Sequence, residues 1–327
     1  MIELIDLHPA VLLTLPLGLA LGVDLYLALI LIGLITHLEW TPLPPGRLGE
    51  ISSLGVLFVP ALLYLVELIA ERLPPQIHFV WHAFQALVRP MGAVLVGLLL
   101  LQGEGLVVLV SGSVVLGLMA SLSHAAKVGG GFLRRVGSPG ALSPWVAGFG
   151  EDTLVLVLVA VSLESARLGL ATGILGVALL VIVFPAHIRA FAFAMRAIGV
   201  TVTAGVATAG WTDAERLPRW IRDLVATTPA LQGPILRGLR VGCQRLPGVG
   251  TFRSGWILSG VEAPCIAFKA PRSARTVPLE GLGEVSVDPG RIVTRIGPRA
   301  TGDGPWSILV PKSGPHPAKL VQSLFHQ

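Results

Sequence analysis

Apolar residues in this chain gather in long unbroken stretches up to about residue 185, then in short alternating runs after residue 248. A helix needs about 20 apolar residues to cross the hydrocarbon core of a bilayer. Six segments meet or approach that length: Ala10–Thr36, Ser53–Ala70, Phe84–Leu101, Gly105–Leu122, Val146–Leu163 and Leu168–Pro185. The first is interrupted by Pro16, Gly18, Gly22 and Asp24, and the fifth opens on Glu151-Asp152, where a re-entrant element is the alternative. An amphipathic stretch, His187–Ile198, follows the sixth, with Arg189 and Arg196 set among Phe191, Phe193 and Met195. Thr212–Val225 and Leu231–Leu246 keep helical spacing, with arginines between apolar positions. Beyond Gly248 the runs SGWILSG, CIAFKA, RTVPLE, GEVSVD, RIVTRI and PWSILVP, bounded by Gly and Pro, predict strands. Pro317–Phe325, with Leu320, Val321 and Leu324 on one side, predicts a closing helix.

The fold class that follows is an α-helical polytopic membrane domain of about six spans plus a small cytoplasmic α+β domain. The expected boundaries are residues 1–199 for the transmembrane domain, 200–249 for an amphipathic helical linker and 250–327 for the β-rich domain. Strands followed by one terminal helix is the order of a pleckstrin-homology-like (PH-like) barrel, an analogy laid over the periodicity.

Composition sharpens this picture. Charged residues make up 13% of the chain and hydrophobic ones 53%, against about 25% charged in an average soluble domain. A disordered chain is excluded, and a wholly soluble enzyme is a poor fit. Residues 1–199 hold 9 Lys/Arg against 11 Asp/Glu, a net of −2, whereas residues 200–327 hold 15 against 8, a net of +7. Lys and Arg collect on the cytoplasmic side of membrane proteins. Arg72, Lys127, Arg134, Arg135, Arg189 and Arg196 fall on one side of a six-span layout, and only Arg47 and Arg167 on the other. Both termini are therefore expected in the cytoplasm of a bacterial inner membrane, with the basic tail under anionic lipid. The acidic start, Met1 to Asp6, lacks the positive n-region of a signal peptide. Cys243 and Cys265 are too few for a disulfide framework and read as packing thiols in a reducing compartment.

Four stretches carry a family resemblance: GVDLYLALILIGL (Gly22–Leu34), YLVELIAERLP (Tyr64–Pro74), WHAFQALVRPMGAVL (Trp81–Leu95), and SHAAKVGGGFLRR (Ser123–Arg135) followed by Glu151-Asp152. Over residues 10–200 they resemble an uncharacterised bacterial integral membrane family, domain of unknown function 4126. Glu71-Arg72 stands where that family usually has Asp-Lys, and His78 where it usually has an acid. The resemblance implies a membrane domain and carries no activity with it.

Ionisable residues inside a membrane cost about 2.5–3.5 kcal/mol each on insertion scales and mark functional sites by default. Here they are Asp24, Glu67, Arg89, Glu151 and Asp152. One reading makes them a polar cavity for a substrate or coupling ion; the other pairs Arg89 with Glu151 or Asp152 to lock helices together. A loose symmetry supports the first. Pro74-Pro75, Trp81 and Arg89 in one half match Ser143-Pro144, Trp145 and Glu151-Asp152 in the other, as in inverted-repeat transporters. His78 and His82, spaced i, i+4 after Glu67 and Glu71, have the residue types for zinc, but no further ligand pair completes a site. Interfacial histidines beside Trp81 are the plainer explanation. His124 and Lys127 flank Gly129-Gly130-Gly131 and Arg134-Arg135, a run suited either to a phosphate headgroup or to a flexible positive loop. Ser113 has no flanking base or acid, so hydrolase chemistry has no support.

No nucleotide-binding, nucleic-acid-binding, metal or cofactor motif is present in the sequence. Two functions follow. One is a small transporter or lipid-handling protein for an anionic substrate, in which Arg89 meets the anion and Glu151, Asp152 and Asp24 couple or gate. The other is a non-transporting membrane scaffold or regulator whose basic tail binds inner-leaflet lipid or a protein partner. An enzyme ranks third. Membrane lipids and an anionic small molecule or headgroup are the expected partners, and association into a homo-oligomer is left open.

Overall fold

The computed structural model describes residues 8–40, 47–70, 75–137, 144–203, 211–228, 231, 237–244, 246, 252–259, 264–269, 274–279, 285–289, 293–298 and 306–311. It divides into two compact units: Met1–Val128 with Leu142–Pro185, and Gly129–Ala141 with Ala186–Gln327.

The first unit is helical. Its elements are α1 (Pro9–Val23), α2 (Leu25–His37), a 3-10 turn at Leu48–Ser52, α3 (Leu54–Ala70), α4 (Pro75–Leu100), most of α5 (Leu106–Gly137), α6 (Pro144–Glu164) and the first half of α7 (Ala166–Thr203). Helix α1 is apolar all round and buried along nearly its whole length, as such a helix must be when enclosed by others. Gly18 and Gly22, four residues apart, form the notch that admits α5. A Cβ on Gly22 would lie 1.9 Å from Ser123 Oγ and 2.3 Å from the Ala120 carbonyl oxygen. Small residues at this spacing let helix backbones approach closely. These glycines were expected to interrupt a span; in the fold they are contact points.

The outer helices turn apolar side chains outward. Phe58, Leu87, Leu106 and Ile182 are each more than two-thirds exposed. Apolar surface on that scale is not left to water by a soluble monomer. Val80–Leu100, Leu106–Leu133 and Ala166–Ala197 are long and apolar enough to cross a membrane, and Pro9–Val23, Leu25–His37 and Leu54–Ala70 are shorter apolar helices.

Three expectations change here. The segment Ala10–Thr36 is two helices, not one, broken at Asp24, whose backbone is extended. The glycine-rich segment after His124 is no loop but the continuation of α5. The stretch His187–Ile198 is no separate element, because α7 runs through Pro185 to Thr203. Among the described residues, three of the six expected spans fall on helices of spanning length and two more on shorter apolar helices.

The second unit carries the sheet. Its strands are β1 (Thr212–Asp213), β2 (Arg237–Gln244), β3 (Arg253–Ser259), β4 (Cys265–Lys269), β5 (Ala274–Pro278), β6 (Val285–Pro289), β7 (Val293–Pro298) and β8 (Ser307–Pro311). They pair antiparallel in the order β5-β4-β3-β2-β8-β7-β6, with β1 added beside β2. The six runs expected after Gly248 are the strands β3 to β8. The segment Leu231–Leu246 is a correction: strand β2 stands where a helix was expected. Its inward residues Leu239, Val241 and Cys243 follow a period of two, and Gly238 and Gly242 give the opposite face room for Leu217 and Phe252. Thr212–Val225 opens on β1 and a 3-10 turn at Ala214–Arg216 and is α-helical from Arg219, where α8 (Arg219–Thr227) puts Ile221 in one cluster with Leu258, Cys265 and Ala267. The closing helix expected at Pro317–Phe325 lies outside the described residues.

Both cysteines are free thiols buried on opposite faces of the sheet, Cys243 with Leu239 and Val241, Cys265 with Leu217 and Ile221. Burial pushes the Cys243 thiol from 9.0 up to about 12 and the Cys265 thiol to about 11. Between pH 9 and those values the unfolded chain ionises its thiols while the folded chain does not. Stability carried by these groups is therefore full below pH 9 and falls as pH rises through that window. At pH 8 iodoacetamide is expected to leave both cysteines unmodified in the folded protein and to label both in SDS. Rapid labelling of Cys243 without denaturant would contradict its burial.

Candidate functional site

Asp24, Glu67 and Arg89 meet at the break between α1 and α2. Where α1 stops, its last carbonyls have no partner within the helix, and its C-terminal end carries partial negative charge. Arg89, on α4, supplies the positive charge. Its Nη1 donates to the Gly22 carbonyl at 2.9 Å and to that of Val23, and its Nη2 donates to Glu67 on α3. A longer contact at 3.4 Å runs from Nε to Gln85 Oε1, one turn earlier on α4. Gln85 in turn donates to the Tyr26 hydroxyl at 2.9 Å. At the other side of the break, Asp24 caps α2 by accepting the Leu27 N–H at 2.9 Å. Each helix end thus meets a charge opposite to its own dipole. Loss of that cap in Asp24→Ala is expected to cost about 1 kcal/mol, read as a lower unfolding midpoint in detergent; an unchanged midpoint would count against the cap.

From Glu67 the network runs outward. Lys127 Nζ lies 3.8 Å from Glu67 Oε1 and 3.3 Å from Glu151 Oε2. Side-chain exposure rises along this line, from 0% at Arg89 and 2% at Glu67 to 9% at Lys127 and 21% at Glu151. Asp152, beside Glu151, accepts from the Tyr64 hydroxyl at 3.4 Å. One of the two readings of these charges paired Arg89 with Glu151 or Asp152; it pairs with Glu67 instead, and Lys127 with Glu151. Arginine suits the break because its planar fork serves carbonyl and carboxylate together, which a lysine ammonium does less well.

His82 and His124 are both buried with ring centroids 5.8 Å apart. His124 Nε2 lies 3.3 Å from the His82 carbonyl, an acceptor only, so a hydrogen bond here uses the Nε2–H tautomer. Among the described residues no group of three or more His, Cys, Asp or Glu side chains is arranged to hold a metal ion. The side chain of His78 and all of Glu71 and Arg72 lie outside the described residues.

Gly129, in the run read as suited either to a headgroup or to a flexible loop, sits within α5, where a Cβ would lie 2.0 Å from the His187 carbonyl oxygen. Ser113 returns its hydroxyl to the Leu109 carbonyl at 2.7 Å, a local helix bond. Sequence reasoning did not single out Gln85, Tyr26 or Tyr64. Gln85 was detectable as a polar residue one turn before Arg89 in an apolar helix. The two tyrosines had no comparable signal, since aromatic residues are common in spans.

No curated protein and no solved structure matches the chain. A family profile described as Domain of unknown function (DUF4126) matches residues 11–187, which takes in the helix break, Arg89, Glu67, Lys127 and the Glu151-Asp152 pair. With more than half its length covered, the chain belongs to the DUF4126 family.

Proposed function

We propose that the protein is a non-transporting scaffold or regulator of the bacterial inner membrane, in which the intramembrane charges hold the helical unit together and the basic C-terminal unit meets cytoplasmic-leaflet lipid or a protein partner. The observation that carries this reading is the state of Arg89. It is fully buried and donates to two carbonyls, a carboxylate and an amide of its own chain. A substrate anion would have to displace either Glu67 from Nη2 or the two backbone carbonyls from Nη1. Both termini lie on the cytoplasmic side in this proposal, following the Lys/Arg distribution. The strand order, with a four-strand and a three-strand meander joined through β2 and β8, is consistent with a PH-like barrel.

A second reading has its own support. Glu151 is part-exposed while bonded to Lys127, an arrangement that suits a gating or coupling pair in a transporter for an anionic substrate. Proteoliposomes separate the two. The double variant Glu67→Leu with Arg89→Met replaces the pair by apolar groups of similar length, a change that is often tolerated where a buried ion pair is structural. The scaffold reading expects no protein-dependent flux of protons or labelled phosphate from the wild type, and a double variant that still folds. Protein-dependent flux that disappears in a folded double variant would overturn it in favour of transport.

A further inference from the structure

Within the second unit, α7 and the sheet bring two arginines together. Strand β2 passes α7 at Gly242, where a methyl group would sit 3.2 Å from Cζ of Phe193. Phe193 also packs on Phe132 and Phe252, with ring centroids at 6.0 and 5.6 Å, so this crossing is firmly seated. One turn beyond Phe193 on α7 is Arg196. Two residues before Gly242 on β2, and therefore on the same face, is Arg240. Both side chains are exposed. Neither has an ion-pair partner among the described residues, whereas Arg237 on the same strand faces Asp213 at 3.5 Å. Partial burial, and then the neighbouring Arg196 guanidinium, push Arg240 below the ordinary arginine range. The two cations therefore sense each other, with no carboxylate between them among the described residues.

Like charges held together in this way cost free energy while the site is empty, and a bridging anion turns the repulsion into attraction. Guanidinium forks match phosphate oxygens in pairs. The location fits as well. Arg196 lies at the end of the apolar length of α7, Ala166–Ala197, and Arg189, exposed and two turns earlier, lies along the same side of the helix. Trp256 pairs with Arg240 across β2 and β3 and gives the site a part-buried aromatic neighbour.

We propose that Arg196 and Arg240 form a binding site for a phosphate-bearing anion, either a lipid headgroup of the leaflet from which α7 emerges or a free phosphorylated molecule. The site deepens the lipid-facing part of the proposed function, yet its test involves no flux and so stands apart from the role of the helical unit. Full-length protein in uncharged detergent is titrated with inorganic phosphate while its unfolding midpoint is followed. In parallel it is placed in nanodiscs of phosphatidylcholine with or without phosphatidylglycerol, and retained lipid is counted by native mass spectrometry.

The expected result is saturable stabilisation by phosphate or selective retention of phosphatidylglycerol. Arg196→Gln and Arg240→Gln should each weaken it about tenfold, the loss of one charge-assisted contact, and Arg275→Gln, on β5, should not. A response to phosphate alone identifies a free ligand, and retention of phosphatidylglycerol alone identifies a headgroup. At low ionic strength without anion, Arg240→Gln should melt no lower than wild type, because one of two repelling charges is gone; this also checks that the variant folds. Binding unchanged in both variants, or no binding of either probe, would overturn the site.

Discussion

Arg89→Ala is expected to destabilise the protein by about 3–5 kcal/mol, the cost of breaking a buried ion pair by removing one partner. The substitution takes from the buried Glu67 carboxylate its arginine partner and strips the Gly22 and Val23 carbonyls of their donor. No water-filled surface is at hand to replace those bonds, since Arg89 is fully buried. The effect should appear as a large drop in the unfolding midpoint in detergent. Arg89→Lys should recover only part of the loss, because one ammonium does not span the carbonyls and the carboxylate as a fork does. Adding Glu67→Leu to Arg89→Ala should make the protein more stable than Arg89→Ala alone, since the buried carboxylate that lost its arginine is then gone. If Arg89→Ala melts within a degree of wild type, the pair does not hold the break, and the scaffold reading loses its basis.

Gly22→Ala should also destabilise the protein, by crowding two helices rather than by removing a charge. Its new methyl would meet Ser123 Oγ at 1.9 Å and the backbone of Ala120 at 2.3 Å. Ser123 is not free to swing aside without losing its bond to the Leu19 carbonyl at 3.1 Å. Relief then requires α5 to move from α1, and overpacking of this kind costs about 1–3 kcal/mol or more. Gly55, in the first turn of α3, is the control. Nothing lies within 4 Å of a Cβ there, so Gly55→Ala should be neutral or stabilising by up to about 1 kcal/mol. The comparison is read from unfolding midpoints in one detergent. Equal behaviour of the two variants would refute the close α1–α5 crossing.

Gly22 also shows how far a one-dimensional reading goes. In the sequence, Gly18 and Gly22 look like defects in an apolar run; only the neighbouring helix reveals them as a notch. Arg89 is similar. Its place among the intramembrane charges was legible because charge is rare in an apolar helix, but its partner was not. Glu67 and Glu151 are both acids of suitable depth, and the choice between them depends on how α3, α4 and α5 pack. The long apolar stretches, the change to alternating runs and the six strands after Gly248 were legible because burial in lipid and burial on a sheet impose different periods. Strand β2 was missed because arginines at 237 and 240 mimic helical spacing, while its true period of two emerges only once β3 and β8 pair with it.

The sequence by itself therefore determined the class of this protein, an apolar helical region followed by a basic β-rich one, because hydropathy and period are local properties of the chain. The tertiary structure decided where the charges go: Arg89 to Glu67 at the helix break, Lys127 to Glu151, and Arg196 beside Arg240. Those pairings depend on distances between residues far apart in the chain, and packing alone sets such distances.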